Sequence, residues 1–264
     1  MLVSAVSYLN TWPLVWGFLH GAQKGIFDFR FDLPAHCAAA LERGDADIGL
    51  VPCAELDRLG LDFLPEVGIA CDGPVRSILL ISKCPYKEIR TLAADSSSRT
   101  SVALARILLA ERFDCPLHLE ITPHLPRLEN MLAECDAALI IGDPALHLDP
   151  AALPWRTLDL GEEWRAWTGL PMVFAVWAGR AEVLTPEAAA AFSASYRWGK
   201  SHMDVIVQRA AGHGFPEELA RDYLTRHIEY ELSGRHLRGL ELFRSRVRQL
   251  DPLPDSVSHE QAVP

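Results

Sequence analysis

Through its first eighty residues the chain alternates short apolar runs with stretches of helical period. That alternation restricts the fold more than any other feature. A strand over 2–7 leads to a helix near 13–21, and residues 27–33 alternate apolar and polar with period two. A helix from His36 to Arg43 stops at Gly44, and the buried run Ile48-Gly49-Leu50-Val51 ends at Pro52. A short helix (53–59) and strands near 63–70 and 75–82 follow. Such an order predicts an α/β fold with a largely parallel sheet and right-handed crossovers. The pattern breaks at Lys83-Cys84-Pro85-Tyr86-Lys87 and resumes on a smaller scale with a helix at 98–112, a strand at 117–122, a helix at 125–134 and a strand at 137–141. The apolar run 172–178 brings the chain back, and only helical patterns (186–211, 216–232, 235–250) follow before a polar tail from Asp251 that is expected to fray. Two crossings imply two lobes, 1–88 with 173–264 and 89–172, hinged around a ligand cleft. No internal repeat or low-complexity segment is present.

Composition narrows the function. A chain of 264 residues with 49% hydrophobic and 23% charged side chains has ample material for a core. Its net charge of −10 and lack of a basic run argue against a nucleic-acid partner. No stretch approaches the apolar length of a membrane span. The six cysteines (Cys37, Cys53, Cys71, Cys84, Cys115, Cys135) include no C-x-x-C pair, and free buried thiols are expected. The first strand begins at residue 2 with no charged and apolar leader ahead of it, so a cytoplasmic location is expected.

Four polar clusters stand where chemistry could sit. Ser7, Asn10 and Thr11 fall between the first strand and its helix, at the carboxyl end where α/β sheets bind ligands. Asn10 or Thr11 could equally cap the helix. Ser96-Ser97-Ser98-Arg99-Thr100-Ser101 opens a helix, and a helix start offers unpaired N–H groups and partial positive charge to an anion. Arg76-Ser77 begins a strand, where Arg76 reads as either a surface residue or a contact. Gly142-Asp143 ends a buried strand, where Asp143 orients a substrate hydroxyl or closes a turn. Hydrolase elbows, zinc-protease motifs, phosphate loops and dinucleotide fingerprints are all missing. His36 and His118 read as ordinary helix and strand residues. Trp164 and Trp167 could line the cleft or pack between lobes.

The wording of the chain adds a further reading. Val6-Ser7-Tyr8-Leu9-Asn10-Thr11-Trp12-Pro13-Leu14 resembles the opening of the menaquinone-pathway chorismate dehydratases, a family built like type 2 periplasmic solute-binding proteins. GDADIGLVP (44–52), VRSILLIS (75–82), SRTSVALARILL (98–109), IGDPAL (141–146) and DLGEEWRAWTGLPMVFAVWA (159–178) match in family order. The resemblance implies a two-lobe fold, each lobe a mixed, mostly parallel sheet flanked by helices. It implies conversion of chorismate to 3-(1-carboxyvinyloxy)benzoate with loss of water, on the futalosine route to menaquinone, with no metal or organic cofactor. Asn10 is then the catalytic residue, with substrate contacts from Ser7, Tyr8, Thr11, Arg76, Ser77, Ser98, Arg99, Thr100, Ser101, Gly142 and Asp143. The protein is expected to work as a monomer or homodimer on a small dicarboxylate. Two alternatives are a non-catalytic solute receptor, which an export signal would support, and the sister enzyme acting on cyclic dehypoxanthine futalosine. That branch opens with a Pro-Cys-Pro-Asn type motif and relies on a histidine, whereas this chain has VSYLN.

Overall fold

The computed structural model describes residues 1–95, 99–115 and 119–250. Ser96, Ser97, Ser98, His118 and the tail from Asp251, all singled out above, lie outside them.

The chain begins with β1 (Leu2–Val6), α1 (Trp12–His20), β2 (Asp28–Asp32), α2 (Pro34–Arg43), β3 (Ile48–Pro52), α3 (Leu56–Leu59) and β4 (Asp62–Cys71). Next come β5 (Ile78–Ser82), β6 (Thr91–Asp95), α4 (Arg99–Glu111), β7 (Glu120–His124), α5 (Leu128–Glu134), β8 (Ala137–Ile141), α6 (Gly142–Leu146), β9 (Arg156–Asp159) and α7 (Leu160–Thr168). The chain then runs through β10 (Met172–Gly179), α8 (Pro186–Ser201), α9 (Met203–Ala211), α10 (Glu217–Asp222), β11 (Glu229–Glu231) and α11 (Gly234–Val247). Two mixed sheets result, in the orders β11-β4-β10-β3-β1-β2 and β7-β6-β8-β5-β9. In each, three parallel strands (β1, β2, β3 or β6, β7, β8) adjoin one antiparallel strand (β10 or β5), with β4 and β11 beyond it in the first sheet and β9 in the second. The two sheets therefore share one plan that no sequence repeat announces. Each antiparallel strand comes from the portion of chain joined to the other sheet.

That exchange corrects the expected lobe boundaries. The sequence puts the first break at 83–88, but β5 pairs with β8 and β9, so the sheets part earlier, at residues 72–77. The strand at 75–82 reads as a continuation of the first sheet because strand pairing is a long-range choice that local period does not encode. The return falls at 169–171, just before β10 joins β3 and β4.

Asp159 fixes both crossings at once. Its carboxylate caps α7 by accepting from the Gly161 and Glu162 N–H groups, and it also accepts from the N–H groups of Val75 (3.0 Å) and Arg76 (2.6 Å). Asp72 beside it is paired with both Arg165 and Arg235. The return is anchored by Trp164, whose indole N–H donates to the Pro171 carbonyl at 3.2 Å. Trp164 is fully buried against Phe243 of α11, and Arg246 stacks on Trp167. Both tryptophans thus pack and neither lines the pocket described below.

One apolar core runs unbroken across both sheets, and a smaller one lies under α5. β5 feeds both, with Leu80 in the first and Leu79 and Ile81 in the second, as its two faces require. All six cysteines are free thiols and only Cys84 is not fully buried. Two helical readings change. The pattern 186–211 is broken at His202, which separates α8 from α9. The pattern 216–232 is α10, a π-turn over Tyr223–His227 and the short strand β11. Glu229 and Glu231 of that strand pair with β4, whose edge outweighs the local helical preference.

Candidate active site

Between the sheets lies a pocket that encloses about 520 Å³ of empty space, part of it open solvent. Its wall comes from the ends of β1 and β3 (Val6, Pro52), the segment after β1 (Tyr8, Asn10) and the start of β10 (Phe174, Ala175). From the other sheet come Ser77, Ile78, Ile141, Gly142 and the first residues of α4, Thr100 and Ser101. These are the carboxyl ends of parallel strands and the helix starts that follow them, where the topology leaves a crevice.

Six of the side chains expected to meet a ligand line this pocket: Tyr8, Asn10, Ser77, Thr100, Ser101 and, through its backbone, Gly142. Asn10 does not cap α1. Residues Leu9–Thr11 form a 3-10 turn ahead of the helix, and neither Asn10 nor Thr11 makes a side-chain cap. The Asn10 amide nitrogen instead donates to the Tyr223 hydroxyl at 3.0 Å, while its Oδ1 is buried with no partner in the protein. Ser77 accepts from Tyr223 at 2.9 Å. Thr100 Oγ1 accepts from the Ala54 N–H at 3.1 Å, tying the start of α4 to the loop after β3.

Gly142 packs tightly against the segment after β1. Its φ of +63° favours glycine, and a Cβ there would stand 2.5 Å from the Tyr8 ring. Next to it, the Asp143 carboxylate accepts from the Leu9 N–H at 3.0 and 3.3 Å. Burial pushes the Asp143 carboxyl up to about 6, against the lowering influence of that bond and of His147. The Asp143 carboxylate thus ties α6 to the segment after β1, a contact that neither of its two expected roles describes.

The remaining expected residues stand elsewhere. Ser7 is exposed, and only its backbone is engaged, with the Asp32 carbonyl. Thr11 is fully buried with its hydroxyl unpartnered, outside the pocket wall. Arg76 sits at φ +67° with its guanidinium bonded to the carbonyls of Ala145 and Leu148, so it ties the crossing to α6. Arg99 pairs with Glu55 at 3.4 Å, a carboxylate 2% exposed that Arg58 also holds. A buried acid claims a nearby cation because the alternative is an unpaired charge. His36 pairs with Asp32 on the surface.

Among the described residues, no Asp, Glu, His, Lys or Arg side chain lines the pocket. Tyr223 is the feature that sequence reasoning misses. It is 1% exposed, and burial holds its phenol well above the ordinary range. Only the apolar face of its helical segment marks it from sequence, and many core residues share that mark.

Two mixed α/β sheets with a pocket at the carboxyl ends of their strands define a periplasmic-binding-protein-like fold. A protein of Archaeoglobus fulgidus has this architecture with a TM-score of 0.74 at 13% identity, over 94% of this chain and 96% of that one. The periplasmic aliphatic sulphonate binding protein of Escherichia coli follows it with a TM-score of 0.61 at 14% identity, over 94% and 96% of the two chains. Residues 1–249 match the family model described as menaquinone biosynthesis, and the chain belongs to that family. A chorismate dehydratase of Thermus thermophilus is 31% identical over 232 residues, which is 80% of this chain and 83% of the relative. No helix among the described residues is long and apolar enough to cross a membrane.

Proposed function

We propose that the protein is a chorismate dehydratase, a carbon–oxygen lyase that converts chorismate to 3-(1-carboxyvinyloxy)benzoate and water for menaquinone biosynthesis. Family membership and the Thermus relative support the activity. The observation that carries the site assignment is the meeting of Asn10, Ser77, Thr100 and Ser101 around one pocket.

The substrate supplies much of the chemistry. The ring C3–H of chorismate is conjugated to the ring carboxylate, so its removal gives an extended dienolate. Loss of the C4 hydroxyl then makes the ring aromatic. Asn10 cannot take the proton, because an amide has no basic group at neutral pH. Among the described residues the wall holds no titratable acid or base apart from the Tyr8 phenol, and the enolpyruvyl carboxylate of chorismate itself accepts the C3 proton. The departing hydroxyl leaves with one proton as water, and the equation balances. Asn10 positions and hydrogen-bonds the reacting ring. The hydroxyls of Ser77, Thr100 and Ser101, with the start of α4, hold the carboxylates. The apolar remainder of the wall keeps water from the ring and strengthens those bonds.

Incubating the purified protein with chorismate and following the product by mass spectrometry and ultraviolet absorbance tests this reading. Loss of one water with appearance of a benzoate chromophore is expected, and unchanged chorismate overturns it. An analogue with the enolpyruvyl carboxylate replaced by an amide should not turn over. Normal turnover would remove the substrate-assisted step and leave the dehydration in place.

A further inference from the structure

Tyr223 lies 213 residues from Asn10 in sequence, yet its hydroxyl touches the two polar side chains at the centre of the pocket wall. The bonding capacity of these groups restricts how they can be arranged. The amide nitrogen of Asn10 only donates, so at 3.0 Å the phenol oxygen accepts from it. A phenol has one proton of its own, and at 2.9 Å Tyr223 gives it to Ser77 Oγ. The chain of bonds then runs one way, from Asn10 to Tyr223 to Ser77. With its nitrogen committed, Asn10 turns Oδ1 the other way, where it is buried and finds no donor in the protein. A buried polar atom left without a partner carries a desolvation cost, unless a ligand supplies the missing bond.

We infer that Tyr223 is a positioning residue that holds the Asn10 amide with its carbonyl oxygen toward the bound substrate. The assignment rests on the dehydratase reading for its kinetic consequence but not for its geometry. Three features support it. Burial favours the neutral phenol, so its proton stays available to Ser77 throughout the range of ordinary assays. The residue opens the π-turn over Tyr223–His227, a wide turn of a kind often found at functional sites. That turn is anchored to the crossing between the sheets, because His227 Nδ1 donates to the Pro74 carbonyl at 2.9 Å. An amide free to rotate would present its NH2 to the substrate part of the time, whereas a fixed acceptor needs no reorganisation as the reaction proceeds.

The test combines kinetics with a readout that does not depend on chorismate. In protein labelled with 15N-asparagine, the Asn10 side-chain amide is identified by its absence in Asn10→Ala. It should exchange slowly with solvent in the wild type and lose that protection in Tyr223→Phe. In the same variant kcat should fall roughly tenfold or more, with KM changing less than about threefold. Adding Tyr223→Phe to Asn10→Ala should change kcat no further, because the phenol acts through the amide. Ser77→Ala serves if Tyr223→Phe does not fold. It frees the phenol proton to reach Oδ1, so the amide should turn and lose protection. Unaltered Asn10 protection in the variants overturns the inference, as does wild-type kcat in Tyr223→Phe or a full multiplicative loss in the double variant. If the wild type leaves chorismate untouched, the dehydratase reading fails and the exchange measurement still decides the role of Tyr223.

Discussion

Asn10 is a small amide in a pocket where no ordinary base stands among the described residues, so under the proposed mechanism its removal should be costly in rate and cheap in stability. Asn10→Ala should fold with a near-normal melting temperature and lose about a hundredfold in kcat, the usual cost of one preorganised hydrogen-bonding group. Circular dichroism and steady-state kinetics check both halves. The residues of the α4 start divide differently. Ser101→Ala is expected to raise KM for chorismate, since Ser101 lines the pocket and its proposed contact would hold the ground state and the transition state alike. Arg99→Ala should leave KM within about twofold and lower stability by roughly 1–2 kcal/mol, because it strips one partner from the buried Glu55. A large rise in KM for Arg99→Ala, read against unchanged thermal stability, would return that arginine to the substrate.

Between elements, the contact of α6 with the segment after β1 carries a pH dependence of definite sign. Asp143 has a carboxyl raised to about 6 in the folded protein against 3.8 when free, so the fold favours its protonated form. Its contribution is least unfavourable below pH 4. It then falls as pH rises toward 6, by about 1.4 kcal/mol per pH unit at most, and stays constant above that. Asp143→Asn keeps an acceptor for the Leu9 N–H and cannot ionise. Its melting temperature should exceed that of the wild type at pH 7.5 and match it near pH 4. The same contact makes Gly142→Ala a severe change, since the new Cβ meets Tyr8 on a backbone that disfavours side chains. A loss of both stability and activity is expected, measurable by melting and by chorismate turnover.

Local elements such as β1, β8 and the α4 start are legible because period and polarity mark them. The partners of Arg76 and Arg99 are not, because a buried carboxylate or a row of helix carbonyls competes with a ligand only in three dimensions. Nor is β11, a three-residue strand within a helical pattern, whose existence depends on the free edge of β4. Tyr223 belongs to the same class, since what distinguishes it is the pair of groups its hydroxyl meets.

At the scale of the molecule, the two chain crossings, at residues 72–77 and 169–171, are expected to let the sheets move as bodies. Tyr8 against Gly142, Leu9 with Asp143, Ala54 with Thr100 and Ser77 with Tyr223 link the two sides as they stand. Small-angle scattering is expected to give a larger radius of gyration without ligand than with product. Equal radii would mean that the sheets do not part. The exchanged antiparallel strands also bear on how the protein is made. β10 lies between β3 and β4, so a ribosome must synthesise a further hundred residues after β4 before the first sheet can be joined. Until then β3 and β4 each present an unpaired edge, the kind of surface that recruits other chains into aggregates. A nascent chain stalled before Met172 should therefore need chaperone protection, and the fragment 1–171 should be less soluble than 1–179.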